Sequence, residues 1–388
     1  QGVRFNQAYS ASPVCTPTRV SILTGKHPAR LHMTIWREAA LNRGNRNLLE
    51  PVCVDSLPPE ETTVAELLKD AGYYNVHIGK WHAGRAEGYP QAHGFHRNIG
   101  GTLWGAPQTF WYPYNGDSYF RDWRYVPDLE PGEAGDYLTD TLTDKAIEVI
   151  EEQAMTEQPF FINLWYHSVH TPIEGKPDLV EHYKNKITDD LIQRNPYYAA
   201  MVHSLDENVG RVLAKIDELG IADNTLVVFH GDHGMRCLRD KQFCYDGGLH
   251  VPMIARWPGH TRPASTCSTP LITVDFYPTL AEIAGATLPK NQPSDGVSFV
   301  GLLHGKPLSE RELFWHFPGY LQAYGRRGAW RTTPAGAIRQ GDWKLIEFFE
   351  DGRRELYHTG KDIGEKRNLL ETEPDVAKRL HALLADWR

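Results

Sequence analysis

The chain has 388 residues, of which 41% are hydrophobic and 23% charged, a composition typical of an enzyme-sized globular protein with a large core. The formal net charge is −8 and no run of basic residues occurs, which excludes electrostatic attraction to nucleic acid. No apolar stretch is long enough to span a bilayer, so we expect neither a nucleic-acid partner nor a membrane span.

Helices and strands alternate through the first part of the chain. Apolar residues at helical spacing alternate with short, nearly continuous apolar runs, which is typical of strands buried between layers of helices. The predicted elements are, in chain order, a helix at 63–71, a strand at 73–78, a helix at 138–150, a strand at 160–166, a helix at 201–216 and a strand at 226–229. We therefore expect an α/β fold with helices on both faces of a mixed, mostly parallel sheet.

The pattern changes after about residue 305, where the sequence predicts an antiparallel hairpin and a terminal helix. The predicted elements are a strand at 343–349, a strand at 355–358 and a helix at 374–387. We expect a large domain over residues 1–305 and a small α+β subdomain, containing an antiparallel sheet, over residues 306–388.

Polar side chains follow three of the predicted strands. In open α/β sheets, sites gather at the carboxyl ends of strands, so we expect these side chains to share one pocket. The residues concerned are Lys80 and His82, His167 and His170, and Asp232 and His233.

Cys15 begins a pattern that is associated with known chemistry. Cys15-Thr16-Pro17-Thr18-Arg19, followed by Leu23-Thr24-Gly25, resembles the signature of type I sulfatases. These are formylglycine-dependent enzymes of the alkaline-phosphatase-like superfamily, and they include bacterial arylsulfatases and polysaccharide sulfatases. The resemblance implies a sulfuric ester hydrolase. It also implies that a formylglycine-generating or an anaerobic sulfatase-maturating enzyme oxidises Cys15 to formylglycine, also called 3-oxoalanine.

Oxidation of this cysteine has a chemical reason. A hydrated aldehyde carries two hydroxyls on one carbon; one attacks sulfur, and deprotonation of the other expels sulfate and restores the aldehyde. A sulfate ester of serine has no second hydroxyl on the same carbon and could not release sulfate in this way. Arg19, one helical turn from Cys15, can hold the diol and stays charged at any working pH.

Two further elements resemble those of the family. Gly79-Lys80-Trp81-His82 matches its G-K-W-H element, in which Lys80 would bind a sulfate oxygen and His82 would take the proton of the diol. His170-Thr171-Pro172 matches its H-T-P element, in which His170 would bind sulfate and help to protonate the leaving oxygen. The match does not cover His167, for which we expect a structural role.

The resemblance also predicts a calcium site and a second cation. Gly231-Asp232-His233-Gly234 resembles the calcium-binding element of the family, and the ion would also contact the formylglycine derived from Cys15. Asp232 offers the hard oxygen that calcium prefers, whereas His233 suits calcium poorly and is expected to be a metal or near-metal residue. Residues 241–248 resemble K-x-x-x-Y-E-G-G, with Asp in place of Glu at position 246. Lys241 is then a second sulfate-binding cation and candidate proton donor.

The beginning of the chain departs from the family pattern. Relatives carry a first strand that ends in paired, calcium-binding Asp residues, whereas 14 residues precede Cys15 here and none is acidic. We therefore expect an N-terminally truncated form of a normal enzyme. The chain by itself would bind metal weakly and turn over poorly, and the sheet would lack a central strand.

The most favoured substrate is a sulfated saccharide, and an aryl sulfate is the second candidate. Aromatic residues at Trp104–Tyr125 and Trp315–Trp330 can stack on sugar rings, although they can equally pack within their loops. Two other functions remain open, a phosphate or phosphonate ester hydrolase of the same superfamily and a non-catalytic glycan-binding relative. Because bacterial polysaccharide sulfatases usually carry an export signal, we expect a periplasmic or extracellular location.

Overall fold

The computed structural model describes residues 1–40, 46–234, 243–323 and 330–388. Its packing divides the chain into two compact units. The first unit joins Gln1–Val64 to Leu226–Arg388, and the second unit is Ala65–Thr225.

Strands and helices are numbered in chain order through both units. The strands are β1 (Val3–Tyr9), β2 (Tyr74–Gly79), β3 (Arg97–Ile99), β4 (Phe160–Trp165), β5 (Val227–His230), β6 (His250–Arg256), β7 (Ser265–Cys267), β8 (Leu271–Ile272), β9 (Glu312–Phe317), β10 (Leu321–Ala323), β11 (Trp330–Thr332), β12 (Ala335–Gln340), β13 (Trp343–Phe348) and β14 (Arg354–His358). The helices are α1 (Cys15–Thr24), α2 (Arg37–Ala40), α3 (Val64–Asp70), α4 (Leu138–Ala154), α5 (Pro177–Lys184), α6 (Pro196–Glu218), α7 (Asp246–Leu249), α8 (Phe276–Ile283), α9 (Val300–Leu303) and α10 (Pro374–Trp387).

The first unit contains a five-stranded mixed sheet. Its strands are ordered β5-β6-β1-β7, and β8 also pairs with β1. β6 runs antiparallel to both β1 and β5, whereas β7 and β8 run parallel to β1. Helices α8 and α9 pack on this sheet in an apolar cluster that contains Phe5, Phe276 and Leu303. This sheet carries β5, the strand that precedes Asp232.

A four-stranded antiparallel sheet, ordered β14-β13-β12-β9, also belongs to the first unit. α10 packs against it through Leu380 and Leu384, so the predicted antiparallel sheet and terminal helix are confirmed. A second cluster joins Trp315 of β9 to Tyr9 at the end of β1. The boundary predicted near residue 305 lies inside the first unit, and this apolar cluster contains residues from before and after that boundary. A separate domain after residue 305 stays a prediction.

The second unit contains a parallel three-stranded sheet, ordered β3-β2-β4. α4 packs on it through Leu142 and Val149, and α6 adds Met201 to the same apolar cluster. The strands can run parallel because the segments between them return the chain to the end of the sheet at which the previous strand began, as in βαβ units. This sheet positions the residues that follow β2 and β4.

The predicted α/β class and mixed sheet are confirmed, although the strands predicted for the large domain lie in two separate sheets, a mixed sheet in the first unit and a parallel sheet in the second. The predicted helices and strands occur within a few residues of their expected bounds. α6 begins earlier than expected, because the Asn195 side chain accepts the N–H of Tyr198 at 3.1 Å and Pro196 suits a first helical turn. Within the described ranges, no helix is both long and apolar enough to cross a membrane.

Candidate active site

Cys15 is the first residue of α1 and is 4% exposed. Val14 before it is extended, and Pro17 lies in the first turn, where a missing N–H costs no helical hydrogen bond. The hydroxyl of Thr18 donates to the carbonyl oxygen of Ser12 at 2.9 Å and so fixes this turn. The partial positive charge of the helix N-terminus therefore lies at residue 15, where it favours an anion.

The element Leu23-Thr24-Gly25 ends α1. Gly25 has a φ of 67° and donates its N–H to the carbonyl oxygen of Ser21 at 2.9 Å. A Cβ at this position would lie 2.7 Å from the ring of Tyr277, so glycine alone fits both the backbone and the space. This part of the signature therefore has a structural role in the folded protein.

Arg19 lies one turn after Cys15, on the same face of α1. Its Nη2 and Nε atoms lie 2.9 and 3.2 Å from Oδ2 of Asp232, which follows β5. The Arg19 side chain is 6% exposed and that of Asp232 is 28% exposed. The ion pair fixes the guanidinium beside the first turn of the helix.

His233 is oriented by a backbone carbonyl. Its Nδ1 lies 2.8 Å from the carbonyl oxygen of Gly234, which can only accept, so Nδ1 carries the proton. Nε2 is buried, has no hydrogen-bond partner among the described residues and lies 3.6 Å from Oδ1 of Asp232. Gly234 donates its N–H to Gly248 at 2.9 Å, and a Cβ on Gly234 would overlap the carbonyl oxygen of Gly247. The loop after β5 is thereby fastened to the glycines of the next predicted motif.

The predicted calcium site is incomplete in the described part of the chain. That part contains no group of three or more His, Cys, Asp or Glu side chains placed to hold a metal ion. Asp232 supplies one carboxylate, which is paired with Arg19, whereas calcium takes about six to eight oxygen ligands. Asp232 and His233 by themselves therefore do not fit a calcium ion.

Lys80 follows β2 in the second unit and is 2% exposed. Gly79 has a φ of 93°, and a Cβ there would overlap the carbonyl oxygen of Trp165, to which Lys80 donates its N–H at 2.7 Å. Trp81 is fully buried and donates its indole N–H to Gly88 at 2.8 Å. In the G-K-W-H pattern, the buried Trp81 therefore fixes the turn, and Lys80 and His82 are its neighbours in the chain.

His82 is buried and has a φ of 57°. It donates its backbone N–H to the carbonyl oxygen of Thr102 at 3.0 Å. Gly105 lies against its imidazole so closely that a Cβ on Gly105 would overlap the ring. This role of Gly105 was not predicted from the sequence, because a lone glycine in an aromatic loop is only a weak sign of close approach.

β2 and β4 are parallel neighbours, with Gly79 opposite Trp165 in the register. The residues that follow these two strands therefore lie at one edge of the sheet. They are Lys80, His82, His167 and His170. The structure thus places these four residues at one edge of the sheet in the second unit. In the first unit it brings Arg19, Asp232 and His233 together, with Cys15 one helical turn before Arg19.

The loop after β4 carries His170 and Glu174. Nδ1 of His170, which is half-buried, lies 3.0 Å from the carbonyl oxygen of Thr171 and 3.1 Å from its hydroxyl oxygen. Glu174 accepts the N–H of Phe110 at 2.7 Å and the hydroxyl of Thr109 at 2.8 Å. Glu174 was not predicted from the sequence, because a single acidic residue in a loop forms no local pattern.

The motif predicted at 241–248 is described from residue 243 onward, so Lys241 lies outside the described residues. Asp246 is buried, and its carboxylate accepts a hydrogen bond from Lys344 at 2.6 Å. Glu365 lies 2.9 Å from the same ammonium. Nothing local indicates this group, because its members are 98 and 119 residues from Asp246 along the chain.

Two family models together match the whole chain. Residues 1–286 match the model described as Sulfatase, and residues 231–388 match the model described as N-sulphoglucosamine sulphohydrolase, C-terminal. A protein from Formosa agariphila described as a sulfatase is 32% identical, over 100% of this chain and 81% of its own length. Human N-acetylgalactosamine-6-sulfatase is 30% identical, over 94% of this chain and 74% of its own length.

Solved structures share the fold. The crystal structure of Ps i-CgsB in complex with k-i-k-neocarrahexaose has a TM-score of 0.79 and 25% identity, over 100% of this chain and 84% of that chain. A structure in complex with its substrate, D-glucosamine-2-N,6-O-disulfate, has a TM-score of 0.73 and 21% identity, over 99% of this chain and 90% of that chain. The second similarity supports the fold alone.

The chain belongs to the sulfatase family, within the alkaline-phosphatase-like superfamily. It is a sulfatase, an enzyme that hydrolyses sulfate esters.

Proposed function

We propose that this sulfatase uses a formylglycine at position 15 to remove sulfate from a sulfated saccharide. The observation that carries the proposal is the position of Cys15, which is buried at the start of α1, one turn before the buried Arg19. A helix N-terminus and a guanidinium both stabilise negative charge, which a sulfate ester brings to this residue.

Residues of the first unit would prepare position 15 for the reaction. The hydrated aldehyde supplies one hydroxyl to attack sulfur and a second whose deprotonation releases sulfate. Arg19 would bind these hydroxyls, and Asp232 would hold its guanidinium in a fixed orientation. A formylglycine-generating or an anaerobic sulfatase-maturating enzyme would oxidise Cys15.

The roles proposed for residues of the second unit are those that the resemblance to the sulfatase family implies. Lys80 would bind a sulfate oxygen, and His82 would accept a proton during sulfate release. His170 would protonate the leaving oxygen through Nε2, since its Nδ1 is engaged with the carbonyl of Thr171. Lys241 would be a second cation for the sulfate and a candidate proton donor.

The resemblance also implies a calcium ion, for which Asp232 and His233 are the candidate ligands. Calcium would offset the charge of the sulfate and lower the pKa of the bound hydroxyls. These two residues do not fit a calcium ion by themselves, so the proposed roles of the side chains do not depend on bound calcium.

The relatives support a saccharide substrate. One is an N-acetylgalactosamine-6-sulfatase, and the solved structure with 25% identity holds a neocarrahexaose. An aryl sulfate is the second candidate and would serve as a simple artificial substrate. We further propose that the protein acts in the periplasm or outside the cell, as bacterial polysaccharide sulfatases usually do.

Peptide mass spectrometry of the protein co-expressed with a formylglycine-generating enzyme tests the proposal. Oxidation of the Cys15 thiol to an aldehyde lowers the peptide mass by about 18 Da. The converted protein should hydrolyse 4-nitrophenyl sulfate and a sulfated hexasaccharide, and Cys15→Ala should hydrolyse neither.

A thiol that persists under conditions that convert a control sulfatase would contradict the formylglycine mechanism and favour a non-catalytic glycan-binding protein. Faster hydrolysis of a matched phosphate or phosphonate ester would favour the phosphorus-ester alternative.

A further inference from the structure

An exposed aromatic cluster lies in the second unit, apart from the residues assigned above. Four large aromatic side chains are exposed among the described residues, and three of them fall within residues 119–125. Tyr119 is 53% exposed, Trp123 is 61% exposed and Tyr125 is 38% exposed; the fourth, Tyr197, is 47% exposed. Large apolar side chains that cluster at the surface indicate a binding surface.

A short hairpin holds this cluster in place. Gly116 and Arg124 exchange two backbone hydrogen bonds of 3.0 and 2.8 Å. The Arg124 guanidinium carbon lies 3.6 Å from the centroid of the Phe120 ring, and its Nη2 lies 3.1 Å from Oδ2 of Asp122. Phe120 donates its N–H to the Gln108 side chain at 3.1 Å. Because these contacts fix the backbone, the aromatic surface is formed before any ligand binds.

Arg121 adds a positive charge to this surface. It is exposed and makes no ion pair with a described residue, whereas the charge of Arg124 is balanced by Asp122. Its backbone N–H donates to the carbonyl oxygen of Asp117 at 3.0 Å, which fixes its place in the hairpin. Exposed aromatic rings in one hairpin, together with a cation that pairs with no described carboxylate, suit a ligand that combines sugar rings with sulfate groups.

The segment that carries the hairpin also contacts both histidine loops of the second unit. Gly105 lies against the ring of His82. Phe110 donates its N–H to Glu174, four residues after His170. The exposed aromatic surface is therefore part of the same segment that supports the proposed catalytic side chains.

We propose that Tyr119, Arg121, Trp123 and Tyr125 form a saccharide-binding platform. Sugar rings of the substrate stack on the aromatic faces, and Arg121 binds a sulfate group other than the one that is removed. This inference rests on the proposed function, and it adds a subsite that distinguishes a sulfated oligosaccharide from a small aryl sulfate.

The test compares two substrate classes in the Trp123→Ala and Arg121→Gln variants. We measure kcat/KM for a chondroitin 6-sulfate hexasaccharide, an ι-carrageenan hexasaccharide and 4-nitrophenyl sulfate. Loss of one stacked ring should lower the ratio of hexasaccharide to aryl sulfate activity about tenfold. For Arg121→Gln, the loss should shrink at high salt, because an exposed ionic contact is screened. Tyr197→Ala, which removes another exposed ring outside the hairpin, is the matched control and should leave the ratio unchanged.

Calorimetric binding of both hexasaccharides to the Cys15→Ala protein separates this inference from the proposed catalysis. If Trp123→Ala weakens binding to the Cys15→Ala protein and Tyr197→Ala does not, the platform is supported even when the protein shows no turnover. An unchanged ratio and unchanged affinity in both platform variants would overturn it. If the converted protein hydrolyses 4-nitrophenyl sulfate but neither binds nor hydrolyses either hexasaccharide, the platform and the saccharide substrate are wrong while the sulfatase activity stands.

Discussion

Arg19 combines two properties that matter at the scale of a single residue. It is a buried cation on the face of α1 that carries Cys15, and one carboxylate, that of Asp232, fixes its orientation through Nε and Nη2. A lysine would keep the charge but would lose the planar fork that makes both contacts. The role proposed for Arg19 therefore depends on its position as well as on its charge.

We expect Arg19→Lys to lower kcat/KM for 4-nitrophenyl sulfate about 100-fold, the usual cost of losing one well-placed charge-stabilising donor. The residue also belongs to the oxidation signature, so kinetics must be normalised to the fraction of formylglycine measured by peptide mass spectrometry. If fully converted Arg19→Lys protein is as active as the wild type, Arg19 has no part in the reaction.

Gly105 provides a second prediction at this scale. A methyl group there would overlap the ring of His82, so Gly105→Ala should displace that ring and lower kcat about 10- to 100-fold, part of the roughly 100- to 10,000-fold that a positioned general base contributes. Gly210→Ala is the control, because nothing lies within 4 Å of the added atom. It should retain full activity and stabilise α6 by up to about 1 kcal/mol in urea unfolding. Equal activity of both variants would show that His82 is not held by this contact.

At the scale of elements, one buried charged group connects α7 to β13. Lys344 is fully buried and lies 2.6 Å from Asp246 and 2.9 Å from Glu365. Burial by itself would raise the pKa of Asp246, but the ammonium of Lys344 outweighs it and holds that pKa below its usual range. Burial would likewise lower the pKa of Lys344, but the two carboxylates raise it. The C-terminal sheet thereby fixes the segment that begins just after the predicted sulfate-binding Lys241.

We expect Lys344→Met to lower the free energy of unfolding by about 3–5 kcal/mol, because it leaves two buried carboxylates without their cation. Adding Asp246→Asn should recover part of that loss. Lys378→Met, an exposed site on α10, should change stability by less than about 0.5 kcal/mol. Urea unfolding of the four proteins measures these values, and a Lys344→Met protein as stable as the wild type would mean that the group contributes nothing.

For the whole molecule, buried histidines make stability depend on pH. Burial lowers the pKa of His27 in the first unit to about 3 and that of His93 in the second unit to about 4. The unfolded chain binds protons at these residues near their ordinary pKa of about 6.5, so it takes up more protons than the folded protein below that pH. The contribution of each histidine to stability is therefore complete above pH 6.5 and is lost as the pH falls towards 4 or 3.

We expect the urea midpoint to fall as the pH is lowered from 7 to 4.5. His27→Asn should flatten this dependence by up to about 1.4 kcal/mol per pH unit below 6.5, because it removes one proton-uptake site from the unfolded chain. His32→Asn is the control at an exposed histidine and should follow the wild-type curve. Parallel curves for all three proteins would show that the burial of His27 does not act on acid stability.

Local sequence determined the elements of this protein and the chemistry of its motifs. The strand predicted at 73–78 is β2, and the helix predicted at 374–387 is α10, because apolar periodicity and Gly and Pro signals act within a few residues. The signature beginning at Cys15 also indicated the family, which the comparisons show.

Only the tertiary structure decided which residues far apart in the chain meet. The division into two units depends on long-range pairing, such as that of β1 with β6. Lys344 and Asp246 are 98 residues apart, and Glu174 and Phe110 are 64 residues apart. Such contacts leave no local pattern, because their free energy depends on the path of the whole backbone and on the burial that results from it. The sequence by itself therefore determined the elements and the residue types of the site, and the fold decided which partners hold them.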